Sequence, residues 1–179
     1  MSTSTKSVHA LATAQTTLAT PLGPLLLACT AQGLAGAWFE GQKDHPGQLT
    51  APQQSNDAVL MQAAAQLTEY FNGTRQEFNL PLDLHGTEFQ CHVWRALLKI
   101  GTGRTQSYAD IARAVNSPKG VRAVGAAVGK NPLSVIVPCH RVMGSNGSLT
   151  GYAGGLDRKR ALLQLEGVRF KETLQEALL

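Results

Sequence analysis

The sequence lacks the features that mark secreted and membrane-spanning proteins. Its 179 residues include only three cysteines, an odd number that argues against a disulfide framework and predicts a reducing compartment. No apolar run approaches the roughly 20 residues that a membrane-spanning helix needs. The N-terminal stretch has one Lys and no compact apolar block, so we expect no signal peptide. Since 43% of the residues are hydrophobic and 16% are charged, we expect a soluble, cytoplasmic globular protein.

Positive charge is scarce in one half of the chain and concentrated in the other. Residues 1–85 carry a net charge of −3, whereas residues 86–179 carry +7. A partner that bears phosphates is therefore expected to bind the second half. The alternative, that the basic surface only aids solubility, fits the charge distribution equally well.

The first half of the chain predicts a β-hairpin followed by a loop. Residues 25–29 and 34–39 are two apolar runs, and the turn-forming residues 31–33 separate them. Residues 41–56 are polar and rich in Pro and Gly, which is typical of a loop.

A helix and an edge strand complete the prediction for this half. Apolar residues with helical spacing begin after Asp57 and end at Asn72. The residues expected on the inward face are Leu60, Ala64, Leu67 and Phe71. Residues 78–84 predict a short strand, which Pro81 places at a sheet edge because proline has no N–H to donate. We therefore expect an N-terminal α/β domain over residues 1–85.

Two capping boxes open helices in the second half. Thr87 with Gln90, and Ser107 with Asp110, have the spacing at which the two side chains cap each other's backbone N–H groups. The first helix is expected to stop at Gly101. Its expected apolar stripe is Phe89, Val93, Ala96, Leu97 and Ile100, and that of the second helix is Ile111, Ala112 and Val115.

A third helix follows closely, with Pro118 expected at its first position. Its expected core face is Val121, Val124, Gly125 and Val128. Its opposite face combines two cations with two very small residues, namely Lys119, Arg122, Ala126 and Gly129. This arrangement is typical of a helix-turn-helix whose second helix lies against nucleic acid. Many helical hairpins without that function share it, so both interpretations stay open.

A thiol beside an imidazole follows a short β-branched run. Residues 135–137 predict a buried strand or extended segment, after which come Cys139 and His140. A neighbouring cation and imidazole form a setting that lowers a cysteine pKa and favours a nucleophile. The alternative is a buried cysteine that packs as a small hydrophobe. Because adjacent side chains rarely point the same way, we expect a water between His140 and the sulfur.

A carboxylate stands at the end of the last predicted helix, residues 156–166. Glu166 precedes Gly167, and the helix dipole disfavours a negative charge there. If Glu166 accepts a hydrogen bond from His140, a relay of thiol, imidazole and carboxylate results. Lys159 lies on the same face and could reach that site. The alternative is a solvated glutamate at a helix end.

Several blocks of the second half together resemble a known family. They are SYADIARAV, VRAVGAAVGKNP, NPLSVIVPCHRV and GYAGGLDRKRALLQLEG, and ATPLGPLLLA at positions 19–28 adds to them. The sequence closely resembles the O6-alkylguanine-DNA alkyltransferases, the methylated-DNA–protein-cysteine methyltransferases, in their stand-alone form. The resemblance implies a ribonuclease H-like α/β domain with a small antiparallel sheet over residues 1–85. It also implies a mostly helical domain over residues 86–179 with a winged-type helix-turn-helix.

The resemblance also implies catalytic roles. Cys139 matches the thiolate that accepts the alkyl group from guanine O6, while His140, through a water, and Glu166 match its activating relay. Tyr108 matches the tyrosine that donates to guanine N3. Asn131 matches the asparagine that ties the helix-turn-helix to the active-site strand.

DNA contacts are implied by the same comparison. Arg122 matches the arginine that replaces the flipped nucleotide in the stack, with docking in the minor groove of double-stranded DNA. Lys119 is expected to attract phosphate, and the small Ala126 and Gly129 to permit close approach. The implied guanine pocket and its surroundings are the backbone of Cys139, Val142 and Ala153, the Tyr152 loop, and Lys159.

These implications define a single-use DNA repair protein, for which we expect no cofactor, no membrane partner and a monomeric state. We expect no metal, because Cys29 has no second cysteine nearby. A bacterial source would place the protein with the nucleoid. Two other functions stay open: a damage-binding module, which in this family lacks the cysteine found here at Cys139, and a cysteine hydrolase, which would turn over without needing Arg122.

Overall fold

The computed structural model describes residues 8–171 of the chain. Residues 8–11 are helical, and a three-stranded antiparallel sheet follows. Its strands are β1 (Ala14–Leu18), β2 (Leu25–Thr30) and β3 (Gly33–Phe39), in the order β1-β2-β3. The expected hairpin of β2 and β3 is confirmed. Strand β1 was not predicted, because its AQTTL sequence is too polar to stand out as a strand.

Helix α1 (Ala58–Phe71) packs against this sheet. Its ends are as expected: the Asp57 side chain accepts hydrogen bonds from two first-turn amides, and Asn72 is the C-cap. The expected inward face is only partly correct, since Ala64 and Phe71 are half-buried. The buried residues are Leu60, Ala63, Gln66, Leu67 and Tyr70, so the inward face lies about one position nearer the N-terminus.

Residues 78–84 do not form the expected strand. This segment makes a single bridge to β3, in which the Leu34 N–H donates to Pro81 O and the Asp83 N–H donates to Leu34 O. The edge position is as expected, but the proline removes one donor and the ladder does not extend. The prediction of a strand is therefore wrong.

The helices of the second half are α2 (Glu88–Leu97), α3 (Tyr108–Ala114), α4 (Val121–Gly129) and α5 (Leu156–Leu165). Both capping boxes are present in full, which confirms the predicted starts of α2 and α3. Between α2 and α3, a two-residue strand β4 (Gln106–Ser107) pairs in parallel with β5 (Val142–Met143).

The start of α4 differs from the prediction. Pro118 lies in a turn in which the Gly120 N–H donates to Ser117 O, and the helix begins only at Val121. Proline is favoured at the second position of such a turn, which competes with the first position of a helix. As a result Lys119 precedes α4, and Val121 is exposed rather than part of the core.

The β-branched residues 135–137 are not extended. They form a turn closed by the Val137 N–H on Leu133 O, with Val135 in the left-handed region at φ 73°. That conformation is unfavourable for a β-branched residue and persists only where the surroundings impose it. Tertiary packing has overridden the local preference for a strand, and the prediction is wrong.

One hydrophobic core runs through both halves of the chain. A single cluster contains buried side chains from the sheet, from α1 and from α2 to α5. Backbone bonds also cross the junction: the Ala37 N–H of β3 donates to Pro132 O, and Ala37 O accepts from the Ser134 N–H. This contact fixes the turn that precedes Cys139 against the sheet. None of the helices within residues 8–171 is long and apolar enough to cross a membrane.

Candidate active site

Cys139 opens a short 3-10 turn, Cys139–Arg141, directly after the turn described above. Its side chain is almost fully buried, with 5% of the residue exposed. The Asn131 amide lies at the end of α4 and donates to the sulfur at 3.1 Å and to Val137 O at 2.8 Å. Asn131 Oδ1 accepts from the Leu133 N–H at 2.9 Å. Asn131 therefore joins the helix end, the turn and the thiol.

Burial raises the pKa of the Cys139 thiol above its ordinary value. The Asn131 hydrogen bond and the Lys159 charge act in the opposite direction but are outweighed. The sequence-based expectation of a lowered pKa is thus wrong. The physical reason is burial of the sulfur, which neighbouring residue types alone do not reveal.

His140 makes the expected hydrogen bond to Glu166, with 2.8 Å between Nε2 and Oε1. Both side chains are buried, with 0% and 1% exposed. Burial lowers the pKa of His140 despite the carboxylate, so the imidazole is neutral and can accept a proton. Since the anionic Glu166 can only accept, Nε2 carries the hydrogen and Nδ1 is left as the acceptor.

Two donors to Glu166 were not expected from the sequence. Arg141 Nε donates to Oε2 and its Nη2 to Oε1, each at 2.9 Å, and the Tyr70 hydroxyl donates to Oε1 at 2.7 Å. Burial raises the pKa of Glu166, but the hydrogen bonds and charges of His140 and Arg141 outweigh it and lower that pKa to about 2. Arg141 directly follows the Cys-His pair and could have been suspected, whereas nothing local marks Tyr70.

Lys159 is fully buried, but it does not reach Glu166 through a hydrogen bond. Its ammonium donates to Val142 O at 2.6 Å and to Thr150 O at 2.7 Å. Burial lowers its pKa to about 8, and the nearby Cys139 acts in the opposite direction. Lys159 thus holds the segment after Cys139 onto α5. Its positive charge would also stabilise a thiolate at Cys139.

A cavity of about 400 Å³ leads to Cys139. Its lining includes six of the residues singled out from the sequence: Tyr108, Ala126, Gly129, Cys139, Tyr152 and Ala153. Val142 is buried outside the lining. Lys43, Asp44 and Lys130 also line the cavity and were not predicted; Lys130 Nζ lies 3.0 Å from Asp44 Oδ1. Lys43 and Asp44 belong to the segment predicted only as a loop.

Helix α4 contributes Ala126 and Gly129 to the cavity lining, and both residues are exposed. Arg122, on the same helix, and Lys119, in the turn before it, are also exposed.

No group of three or more His, Cys, Asp or Glu side chains suited to a metal occurs within the described part of the chain. Cys29 is buried, and its thiol lies 3.5 Å from Asp57 Oδ1.

Two family models match the chain. The 6-O-methylguanine DNA methyltransferase ribonuclease-like domain matches residues 14–84, and the DNA binding domain of the same name matches residues 88–168. A methylated-DNA–protein-cysteine methyltransferase from Mycobacterium tuberculosis is 46% identical over 153 residues, which cover 86% of this chain and 92% of the relative. One from Methanosarcina acetivorans is 46% identical over 150 residues, covering 82% and 94%. The crystal structure of Mycobacterium tuberculosis OGT in complex with DNA is similar, with a TM-score of 0.78 and 45% identity, covering 86% and 92% of the two chains.

Proposed function

Because this chain belongs to the 6-O-methylguanine DNA methyltransferase family, we propose that it repairs O6-alkylguanine in DNA by transferring the alkyl group to its own Cys139. The observation that carries the assignment is the position of the Cys139 sulfur: Cys139 lines the cavity, and its sulfur accepts a hydrogen bond from Asn131. A neutral imidazole follows it in the chain, and a carboxylate fixes that imidazole's tautomer. These are the parts that a buried thiol needs to become a nucleophile.

The reaction is an in-line displacement. The thiol proton passes through a water to Nδ1 of His140, and the sulfur attacks the alkyl carbon. A sulfur–carbon bond forms as the bond from that carbon to guanine O6 breaks. The electron pair stays on the base, and Tyr108 donates to guanine N3 to neutralise the charge. The product is a thioether that no described residue is placed to reverse, so each molecule acts once.

The alkylated base must leave the duplex to reach the sulfur. A base pair that already pairs badly costs less to open, which favours damaged sites. The α4 surface docks in the minor groove, Ala126 and Gly129 let the backbone approach closely, and Arg122 fills the space left in the stack. We assign a winged-type helix-turn-helix and a ribonuclease H-like first domain to this architecture, with the boundary at residue 85. We further propose a monomer that works in the cytoplasm, on the nucleoid if the source is bacterial.

Intact-mass measurement after mixing with duplex DNA containing O6-methylguanine tests the function directly. We expect a stable gain of one methyl group per chain, located at Cys139 by peptide mapping, and no gain with the unmodified duplex. Binding without a mass change would instead indicate a damage-binding module. Continued release of product without a mass change would indicate a cysteine hydrolase.

Arg122→Ala separates base flipping from chemistry. We expect it to slow transfer from duplex DNA by roughly tenfold or more. Flipping the base out of the duplex costs a few kcal/mol, and without the Arg122 side chain the flipped state is less stable. Transfer from the free base O6-benzylguanine, which needs no extrusion, should be unchanged. Tyr108→Phe is the matched comparison, since its hydroxyl acts on the base and its loss should slow both reactions. Equal losses on both substrates for Arg122→Ala would show that Arg122 supports the fold or the pocket instead.

Lys119→Ala tests the phosphate contact. Lys119 lies in the exposed turn before α4, so its charge should act on the DNA backbone without reading a base. We expect weaker binding to damaged and undamaged duplex alike, and a salt dependence of log K that is flatter by about one counterion. Binding titrations at several salt concentrations measure this slope. An unchanged slope would place Lys119 away from the bound DNA.

A further inference from the structure

The carboxylate of Glu166 accepts hydrogen bonds from residues in both halves of the chain. Three donors meet on Oε1: Nε2 of His140 at 2.8 Å, Nη2 of Arg141 at 2.9 Å, and the hydroxyl of Tyr70 at 2.7 Å. His140 and Arg141 belong to the 3-10 turn that carries Cys139. Tyr70 comes from α1 in the other half, 96 residues away along the chain.

Tyr70 is fixed in place independently of its hydroxyl. The residue is 2% exposed, and its ring packs against Phe71 and Phe78 with centroid distances of 5.3 Å and 5.4 Å. Burial and the Glu166 charge raise the pKa of the phenol, so it remains protonated and donates its hydrogen to the carboxylate. The hydroxyl is therefore a rigidly held donor.

The direction of the Glu166 carboxylate determines which His140 nitrogen is free. Glu166 must present Oε1 to Nε2 for the hydrogen to stay there and for Nδ1 to remain the acceptor. The last torsion of a glutamate side chain has a broad, weak preference, so the direction must be imposed by its hydrogen-bond partners. Arg141 fixes one edge of the carboxylate, and Tyr70 fixes the oxygen that serves the imidazole.

We propose that Tyr70 is a positioning residue of the alkyl-transfer relay, through which the first half of the chain orients Glu166 and thereby His140. This inference rests on the proposed function and deepens it. The ionisable groups that contact the carboxylate are Tyr70 from α1 and His140 and Arg141 from the 3-10 turn. Lys159, on the helix that ends at Glu166, directs its ammonium to backbone carbonyls instead.

The test is Tyr70→Phe, which removes the hydroxyl and keeps the ring. We expect transfer to Cys139 to slow about 3- to 10-fold, the range that corresponds to one modest hydrogen bond. The loss should be equal for O6-benzylguanine and methylated duplex, with unchanged substrate affinity, because the residue acts on the chemical step. Thr68→Ala is the control and should leave the rate unchanged, because it removes an exposed hydroxyl of the same helix that, within residues 8–171, donates to Ala64 O.

A double-mutant cycle separates positioning from a structural role. In a His140→Ala background the carboxylate has no imidazole to orient, so adding Tyr70→Phe should slow transfer no further. His140→Gln serves as the background if the alanine variant does not fold. A loss of the same size in both backgrounds, or no loss in the single variant, overturns the proposal.

Iodoacetamide makes the test independent of DNA repair. Its rate of reaction with Cys139, followed by peptide mapping, should show the same loss in Tyr70→Phe and the same absence of further loss in the double variant. If the wild-type protein takes up no methyl group from DNA, the proposed function fails. This reaction would still show whether Tyr70 acts on the thiol through the relay.

Discussion

Replacing Cys139 with alanine should abolish alkyl transfer and leave binding to damaged duplex DNA intact. The sulfur is the atom that forms the new bond, so no residual rate is expected. The residues assigned to DNA binding, Arg122 and Lys119, are exposed on α4 and in the turn before it, whereas the thiol is buried. Intact-mass measurement checks the transfer, and titration of a labelled duplex containing O6-methylguanine checks the binding.

The other two thiols provide the controls for this experiment. Cys29 and Cys91 are buried at 1% and 9% exposure, and neither lines the cavity that leads to Cys139. Cys29→Ala and Cys91→Ala should each retain a full gain of one methyl group. A methyl group found on Cys29 or Cys91 in the Cys139→Ala protein would contradict the assignment of the acceptor.

Removing the imidazole should have the second-largest effect. His140→Ala is expected to slow transfer by on the order of 10²-fold or more, the usual loss when an acid–base group is deleted. Burial already raises the pKa of Cys139 and so disfavours the thiolate. Without the imidazole, the thiol also lacks the base that accepts its proton. The apparent pKa of Cys139 should rise further, which a titration of its reactivity with iodoacetamide measures.

Glu166→Gln should produce a similar kinetic loss together with a loss of stability. Glutamine cannot balance the buried charge of Arg141, and breaking a buried ion pair from one side is strongly destabilising. The depressed pKa of Glu166 stabilises the fold above the carboxyl's ordinary pKa, and this contribution disappears as the pH falls through about 2. The stability difference between wild type and variant should therefore shrink in strong acid. An unchanged thiol titration in both His140→Ala and Glu166→Gln would contradict the relay.

The features that could be predicted from the sequence are those set by neighbouring residues. Asp57, Thr87 and Ser107 each cap a helix through atoms two or three positions away, and all three helix starts were correct. In these caps a short stretch of chain contains both the cause and its effect. The partner of Glu166 was suggested instead by chemistry, because a carboxylate at a helix end favours a hydrogen-bond donor, and His140 is one of its donors.

The errors arose where distant parts of the chain decide the outcome. Val135 adopts a left-handed conformation because Leu133 and Ser134 are bound to the edge of β3, which no β propensity can reveal. The raised pKa of Cys139 results from burial by several elements at once. Tyr70 meets Glu166 only after both halves have folded together, so no local pattern identifies it as a partner.

The core shared by the two halves limits how far either can change independently. Separate family models describe residues 14–84 and 88–168, but one buried cluster contains side chains of both parts, and backbone hydrogen bonds at Ala37 join them. A chimera that exchanges the first half must therefore match the partner's interface as well as its own fold. Recombination at residue 85 should yield few working proteins. Substitutions in the sheet or α1 that alter this interface must be compensated by substitutions near the reactive cysteine.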